Sequence, residues 1–254
     1  MPRSSNLSSL AARGLLLLGL CLSAGCSRVQ KQTLEVEVGH HAVQLVTPVG
    51  WEHLDHGRQQ LFRHGEIQVS LTDLGIATQE GLLRDLRQAQ ALWRAGRTAD
   101  ATARVFEIRG PMFQGNAPGG GPDFWRPWND AIYRTDAGAN AATGAAFTSL
   151  IEGAAKLPEV TEDRLREYVI ASSMDIRRRE IRRQTRRTIH GSEWMDVETW
   201  DPVSHLYPLR LAWTQSGGYL LVVAVDRGPL EQAGAAFEAL LTSIEIKPPE
   251  PQAE

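Results

Sequence analysis

The 254-residue sequence predicts an α+β domain: an antiparallel β-sheet flanked by helices and interrupted by a loop-rich helical insertion. Three observations predict it. Apolar and polar residues alternate with period two in two blocks, 34–74 and 194–225. Helical stripes of apolar residues follow each block. A glycine- and proline-rich stretch, 115–122, divides the middle.

Leu34, Val36 and Val38 alternate with Glu35 and Glu37, which reads as a half-buried strand. Val43-Gln44-Leu45 repeats the pattern until Pro48-Val49-Gly50-Trp51 breaks it. Residues 60–63 and 67–71 form the arms of a hairpin around His64-Gly65. A helix follows, capped by Thr78, faced by Leu82, Leu83, Leu86, Ala89 and Trp93, and ended by Gly96.

Residues 78–160 read as an insertion. Its centre, 110–144, is loop held by one aromatic segment that contains Phe124, Trp125, Trp128 and Tyr133. Helices are expected over 147–156 and 162–171, with Thr161 capping the second. Strands are expected over 194–200, 209–213 and 219–225, the last two joined through Ser216-Gly217-Gly218. A closing helix carries Leu230, Ala233, Phe237, Leu240, Leu241 and Ile244 on one stripe. Residues 247–254 read as a disordered tail.

The chain start has its own logic. Arg3 and Arg13 make it basic, Gly14–Leu22 is nearly all apolar, and Leu22-Ser23-Ala24-Gly25 leads to Cys26. The apolar stretch is too short to span a bilayer. This segment resembles a bacterial lipoprotein signal peptide. The resemblance implies cleavage after residue 25, acylation of Cys26, and tethering to the inner or outer membrane facing the periplasm or exterior. Residues 26–33 would be a short tether before a single domain, 34–246. The chain has only two cysteines, Cys21 and Cys26, so the mature domain would hold no free thiol and no disulfide.

Loss of Arg3 and Arg13 takes the formal charge from −3 to −5. That balance and the export route argue against nucleic acid as a partner.

Pro48, Gly50 and Trp51, the Gly217-Gly218 hairpin and the closing Phe237, Leu240, Leu241, Ser243 and Ile244 resemble the PsbP-like α/β/α sandwich family. That family includes bacterial lipoproteins of unknown role. The resemblance spans about 43–75 and 165–246. It implies a binding or assembly factor rather than an enzyme, and no cofactor.

Three constellations carry candidate chemistry. The early histidines His40, His41, His53, His56 and His64 include His53-Leu54-Asp55-His56, a possible metal-ligand group if three rings converge. Arg177, Arg178, Arg179, Arg182, Arg183, Arg186 and Arg187 form a run suited to an anionic surface, though a solvated face is the plainer reading. Phe124, Trp125, Trp128 and Tyr133 suit a protein partner in the envelope, or simply pin their own loop. No nucleophile elbow, phosphate-binding loop or dinucleotide fingerprint is present. The reading is a lipid-anchored envelope protein with a non-catalytic binding or accessory role. The alternatives are an envelope hydrolase acting on glycan or peptide, and a periplasmic metal-binding protein.

Overall fold

The computed structural model describes residues 30–108, 122–173, 180–200, 209–227 and 230–247. Cys26, the 115–122 stretch up to residue 121, Arg177, Arg178, Arg179 and the tail from residue 248 lie outside them.

The described residues form an α+β sandwich of three layers. The middle layer is an antiparallel seven-stranded sheet, ordered β3-β4-β5-β9-β8-β7-β6. Its strands are β3 (Glu52–Asp55), β4 (Gln59–His64), β5 (Ile67–Ile76), β6 (Glu180–Ile189), β7 (Ser192–Trp200), β8 (Leu209–Ser216) and β9 (Tyr219–Arg227). One outer layer holds five helices: α1 (Gln79–Arg94), α2 (Thr98–Ile108), α3 (Pro122–Ile132), α4 (Ala139–Ala154) and α5 (Glu162–Ser173). The other holds α6 (Leu230–Ser243) and a three-stranded sheet of β1 (Lys31–Val38), β2 (His41–Pro48) and β10 (Glu245–Lys247), ordered β1-β2-β10.

β9 shows why the sheet is covered on both faces. Its Leu220, Val222 and Ala224 join the core under the five helices, while Leu221, Val223 and Val225 join the core under α6 and β2. A strand apolar on both faces is stable only between two layers. The closing helix lies as its stripe predicts, with Phe237, Leu240, Leu241 and Ile244 all buried.

Residues 78–160 depart from the loop-rich reading. They supply one of the two cores, with Leu82, Leu86, Val105, Trp128, Phe147 and Leu150 fully buried. α4 begins at Ala139, inside a stretch whose Ala, Gly, Asn and Thr read as loop. The small residues are there for packing. A Cβ on Gly144 would lie 2.7 Å from the Trp93 ring, and one on Gly153 would lie 3.2 Å from the Phe124 ring. Glycine lets α4 approach α1 and α3 closely. α2 goes unpredicted, although Ala101, Val105 and Ile108 share a buried stripe.

Two boundaries also move. β1 starts at Lys31, taking three residues from the expected tether, and Lys247 belongs to β10, opposite Ala42, rather than to the tail.

Candidate functional site

The densest group of ionisable side chains lies at one end of the sandwich, where the β1–β2 turn meets the helical layer. The turn has two residues, Gly39 (φ 58) and His40. Gly39 is required on two grounds: its left-handed backbone, and a Cβ that would lie 2.1 Å from Asp73 Oδ2. Asp73 sits beside a register shift in β5, between Asp73 and Gly75, and its side chain is fully buried. Bulges of this kind re-aim side chains at the end of a sheet.

Asp73 Oδ2 accepts from the His40 backbone N–H and from the His40 ring Nδ1, each at 2.9 Å. Its Oδ1 accepts from the Gly75 N–H at 2.6 Å and from Arg58 at 3.3 Å. Arg104 on α2 donates to His40 Nε2 at 3.0 Å. A guanidinium only donates, so Nε2 is the acceptor and the ring proton sits on Nδ1, facing Asp73. The His40 ring stacks on Tyr219 at 3.9 Å between centroids. The Tyr219 hydroxyl lies 2.7 Å from both oxygens of Asp85 on α1, and Arg104 reaches the same phenol at 3.1 Å and Asp85 at 3.2 Å.

Burial and partners settle the protonation states. Burial alone would raise Asp73, but the His40 ring and the His40 and Gly75 amides outweigh it and hold the carboxyl at about 2. Burial, reinforced by the Asp85 carboxylate, pushes the Tyr219 phenol up to about 12. Burial drives the neighbouring His41 down to about 4. At neutral pH the group is therefore an anionic Asp73, a neutral phenol and a neutral His41. Every polar atom of the His40 ring is engaged, so no lone pair is open to a substrate proton. The group acts as a lattice that fastens the β1–β2 turn to β5, β9, α1 and α2.

A second feature is open. A groove of about 550 Å³ lies between the start of α5 and the β6–β7–β8 part of the sheet, with Val160, Leu165, Trp194, Met195 and Trp213 as its apolar lining. Its ionisable lining residues are Glu162, Arg186 and Glu193. Arg186 and Glu162 form an ion pair that joins β6 to α5. The Thr214 hydroxyl donates to the Glu193 carbonyl at 2.6 Å.

The described part of the arginine run, from residue 180, is strand, and β6 is an edge strand of the seven-stranded sheet. Its described arginines have local partners. Arg182 lies over the Trp200 ring at 4.0 Å, Arg183 meets Glu198 at 3.6 Å, and Arg186 meets Glu162. Arg187 reaches Glu238 at 2.5 Å and the buried Asp196 at 3.2 Å, and Arg210 completes that group at 2.7 Å from Asp196. Hydrogen bonding to Arg187 lowers the Glu238 carboxyl. These pairs bind α5 and α6 to the sheet. Charge on an edge strand also deters pairing with other chains. Arg183, Arg186 and Arg187 thus each face a carboxylate within the fold, while Arg182 faces a neutral ring.

The aromatic segment is mostly internal. Trp125 and Trp128 are 2% and 1% exposed and belong to the helical core, and the partly buried Phe124 packs on Gly153. Only Tyr133, 80% exposed, is presented to solvent. Helical spacing made this segment a core anchor, which its aromatic content alone did not reveal.

His53 stacks on Phe62 at 5.0 Å and meets Gln60 Oε1 at 2.7 Å. Asp55 accepts from the Gly57 N–H and from Gln60 Nε2, which lowers its carboxyl. These contacts close the β3–β4 hairpin. Among the described residues no three His, Cys, Asp or Glu side chains gather as a metal site, so His53, Asp55 and His56 do not form the convergent group the metal-binding alternative requires.

Sequence reasoning missed Asp73, Asp85, Arg104 and Tyr219 as a group. A signal was present: Asp85 lies on the apolar stripe of α1 between Leu82 and Ala89, and Asp73 follows the buried run of β5. A charge on a core face requires a partner.

No family model matches this chain, and no curated protein matches it. Among solved structures it is similar to the solution structure of cyanobacterial PsbP (CyanoP) from Synechocystis sp. PCC 6803. The two share 12% identity over 88% of this chain and 96% of that one, with a TM-score of 0.40. A likeness at that level carries no inference about role.

Proposed function

We propose that this protein is a lipid-anchored cell-envelope domain with a non-catalytic binding or accessory role, tethered through Cys26 and binding an envelope partner in the groove beside α5. The groove carries this reading. It is open and partly apolar, its lining has no histidine, cysteine or lysine, and its one arginine is paired with Glu162. The richest ionisable group, around His40 and Asp73, has the His40 ring and the Asp73 carboxylate engaged within the fold and sits elsewhere. The hydrolase alternative rests on Glu162 and Glu193, since two carboxylates are what glycoside hydrolysis uses. Glu162 is already engaged by Arg186 in an ion pair that joins α5 to β6.

Two measurements test the proposal. Intact mass and membrane partition of wild type against Cys26→Ala report the tether; soluble protein of equal processed mass in both would overturn it. A photo-crosslinking residue at the exposed Gln215, on the groove rim, should give one discrete adduct in cells that Arg186→Glu abolishes. Turnover of an envelope glycan or peptide that is lost in Glu193→Gln would replace the binding role with the hydrolase.

A further inference from the structure

Four large apolar side chains are exposed among the described residues: Val49, Phe106, Tyr133 and Ile181. Val49 differs from the rest in where it stands. Residues Pro48 to Trp51 form a turn closed by the Trp51 N–H to the Pro48 carbonyl at 3.4 Å, with Gly50 at φ 92. A glycine in that conformation at the third position marks a type II turn. Val49 therefore occupies the outer corner, 51% exposed. Its own N–H donates to the Gln30 carbonyl at 2.7 Å. The corner is thus fastened to the residue at which the described domain begins.

Chain length then limits where the corner can be. Four peptide units separate Cys26 from Gln30, a reach of at most about 14 Å. The polar layer on each side of a bilayer is roughly 5–8 Å deep. An acylated Cys26 would hold Val49 within reach of that layer. The neighbouring chemistry suits it. Trp51 is half-buried and stacked on His64 at 5.8 Å, the amphipathic ring type favoured at membrane interfaces, and Lys31, the β1 partner of Pro48, is exposed. Glu52 and Glu66 are also exposed at this end, which keeps the contact at headgroup depth. Opposite, β1 carries the chain from Lys31 to Val38, roughly 24 Å, to the His40 turn.

We infer that the Pro48–Trp51 corner is a second, non-covalent membrane contact, with Val49 and the edge of Trp51 seated among lipid headgroups. The sandwich then stands with the β1–β2 hairpin pointing away from the bilayer and the His40–Tyr219 end outermost. This inference rests on the lipid-anchored reading above.

The test uses the full lipidated protein in vesicles of phosphatidylethanolamine and phosphatidylglycerol. Val49→Cys carries an environment-sensitive fluorophore, and headgroup spin-labelled lipid is the quencher. Phe106→Cys is the control: it is 53% exposed on α2, two residues from Arg104, which touches His40 at the far end. If Cys26 is acylated, each variant takes one label and floats with the vesicles. The expected result is a blue shift and loss of emission at residue 49, with neither at residue 106. Flotation with one label and no quenching at residue 49, or equal quenching at both, overturns the inference and leaves the anchor standing. More than one label per molecule without flotation overturns the anchor, and the inference falls with it.

Discussion

His41 should make this protein acid-sensitive in a defined window. The side chain is 4% exposed, and its Nε2 lies without a hydrogen-bond partner among the described residues. Burial lowers the imidazole from 6.5 to about 4; Asp73 opposes the shift, while His40 and Arg58 add to it. A folded-state value below the unfolded one means that the unfolded chain takes the proton first. Stability is therefore whole above about pH 6.5 and declines as pH falls toward 4, with no further loss from this group below that. The difference corresponds to about 3 kcal/mol. The perturbation is His41→Gln, which cannot titrate. Urea unfolding of wild type and variant at pH 7.5 and pH 4 gives the four stabilities required. Carboxylates titrate in both proteins, so the change in their difference isolates His41. Wild type should lose about 3 kcal/mol more than the variant over this range. Parallel pH profiles would refute the reasoning, and with it the dry surroundings of the His41 ring.

Further outcomes follow from the same geometry. Asp73, fully buried and held at about 2, contributes about 2 kcal/mol that is present above pH 4 and lost as pH falls through 2; Asp73→Asn should flatten that lower limb in the same urea series. Gly218→Ala should cost about 2–4 kcal/mol, because φ is 85 and the new Cβ would lie 2.9 Å from the Gly81 Cα, whereas Gly217→Ala, with φ 57 and open space, should cost about 1 kcal/mol by denaturant titration. Trp128→Ala should destabilise by about 3–5 kcal/mol and Tyr133→Ala by less than about 0.5 kcal/mol; equal effects in thermal melts would mean that the aromatic segment is not the core anchor described.

Local rules made much of this fold legible. Period-two alternation marked the strands, and the Ser216–Tyr219 turn was readable because two glycines with φ of 57 and 85 have few other uses between strands. Thr78 was readable as a cap because its hydroxyl accepts from the Gly81 N–H, as helix starts require. The 78–160 region was misread where one residue type serves two purposes. Glycine and alanine mark loops by composition, yet Gly144, in a stretch read as loop, and Gly153, inside the expected 147–156 helix, are both small because aromatic rings of other helices press on them. That pressure comes from residues 29 to 51 positions away and leaves no local trace.

The candidate sites divide in the same way. Sequence alone nominated Cys26 as a lipidation site, marked most of the strands and helices, and fixed the position of every charge along the chain. Tertiary structure alone decided which charges remain available. It placed Arg187 between Asp196 and Glu238, His40 between Asp73 and Arg104, and two tryptophans inside a helical layer. The physical reason is that the free energy of a charge or an aromatic ring depends on what surrounds it. Those surroundings are assembled from segments far apart in the chain, so residue type and spacing can nominate a site but cannot say whether it is already occupied.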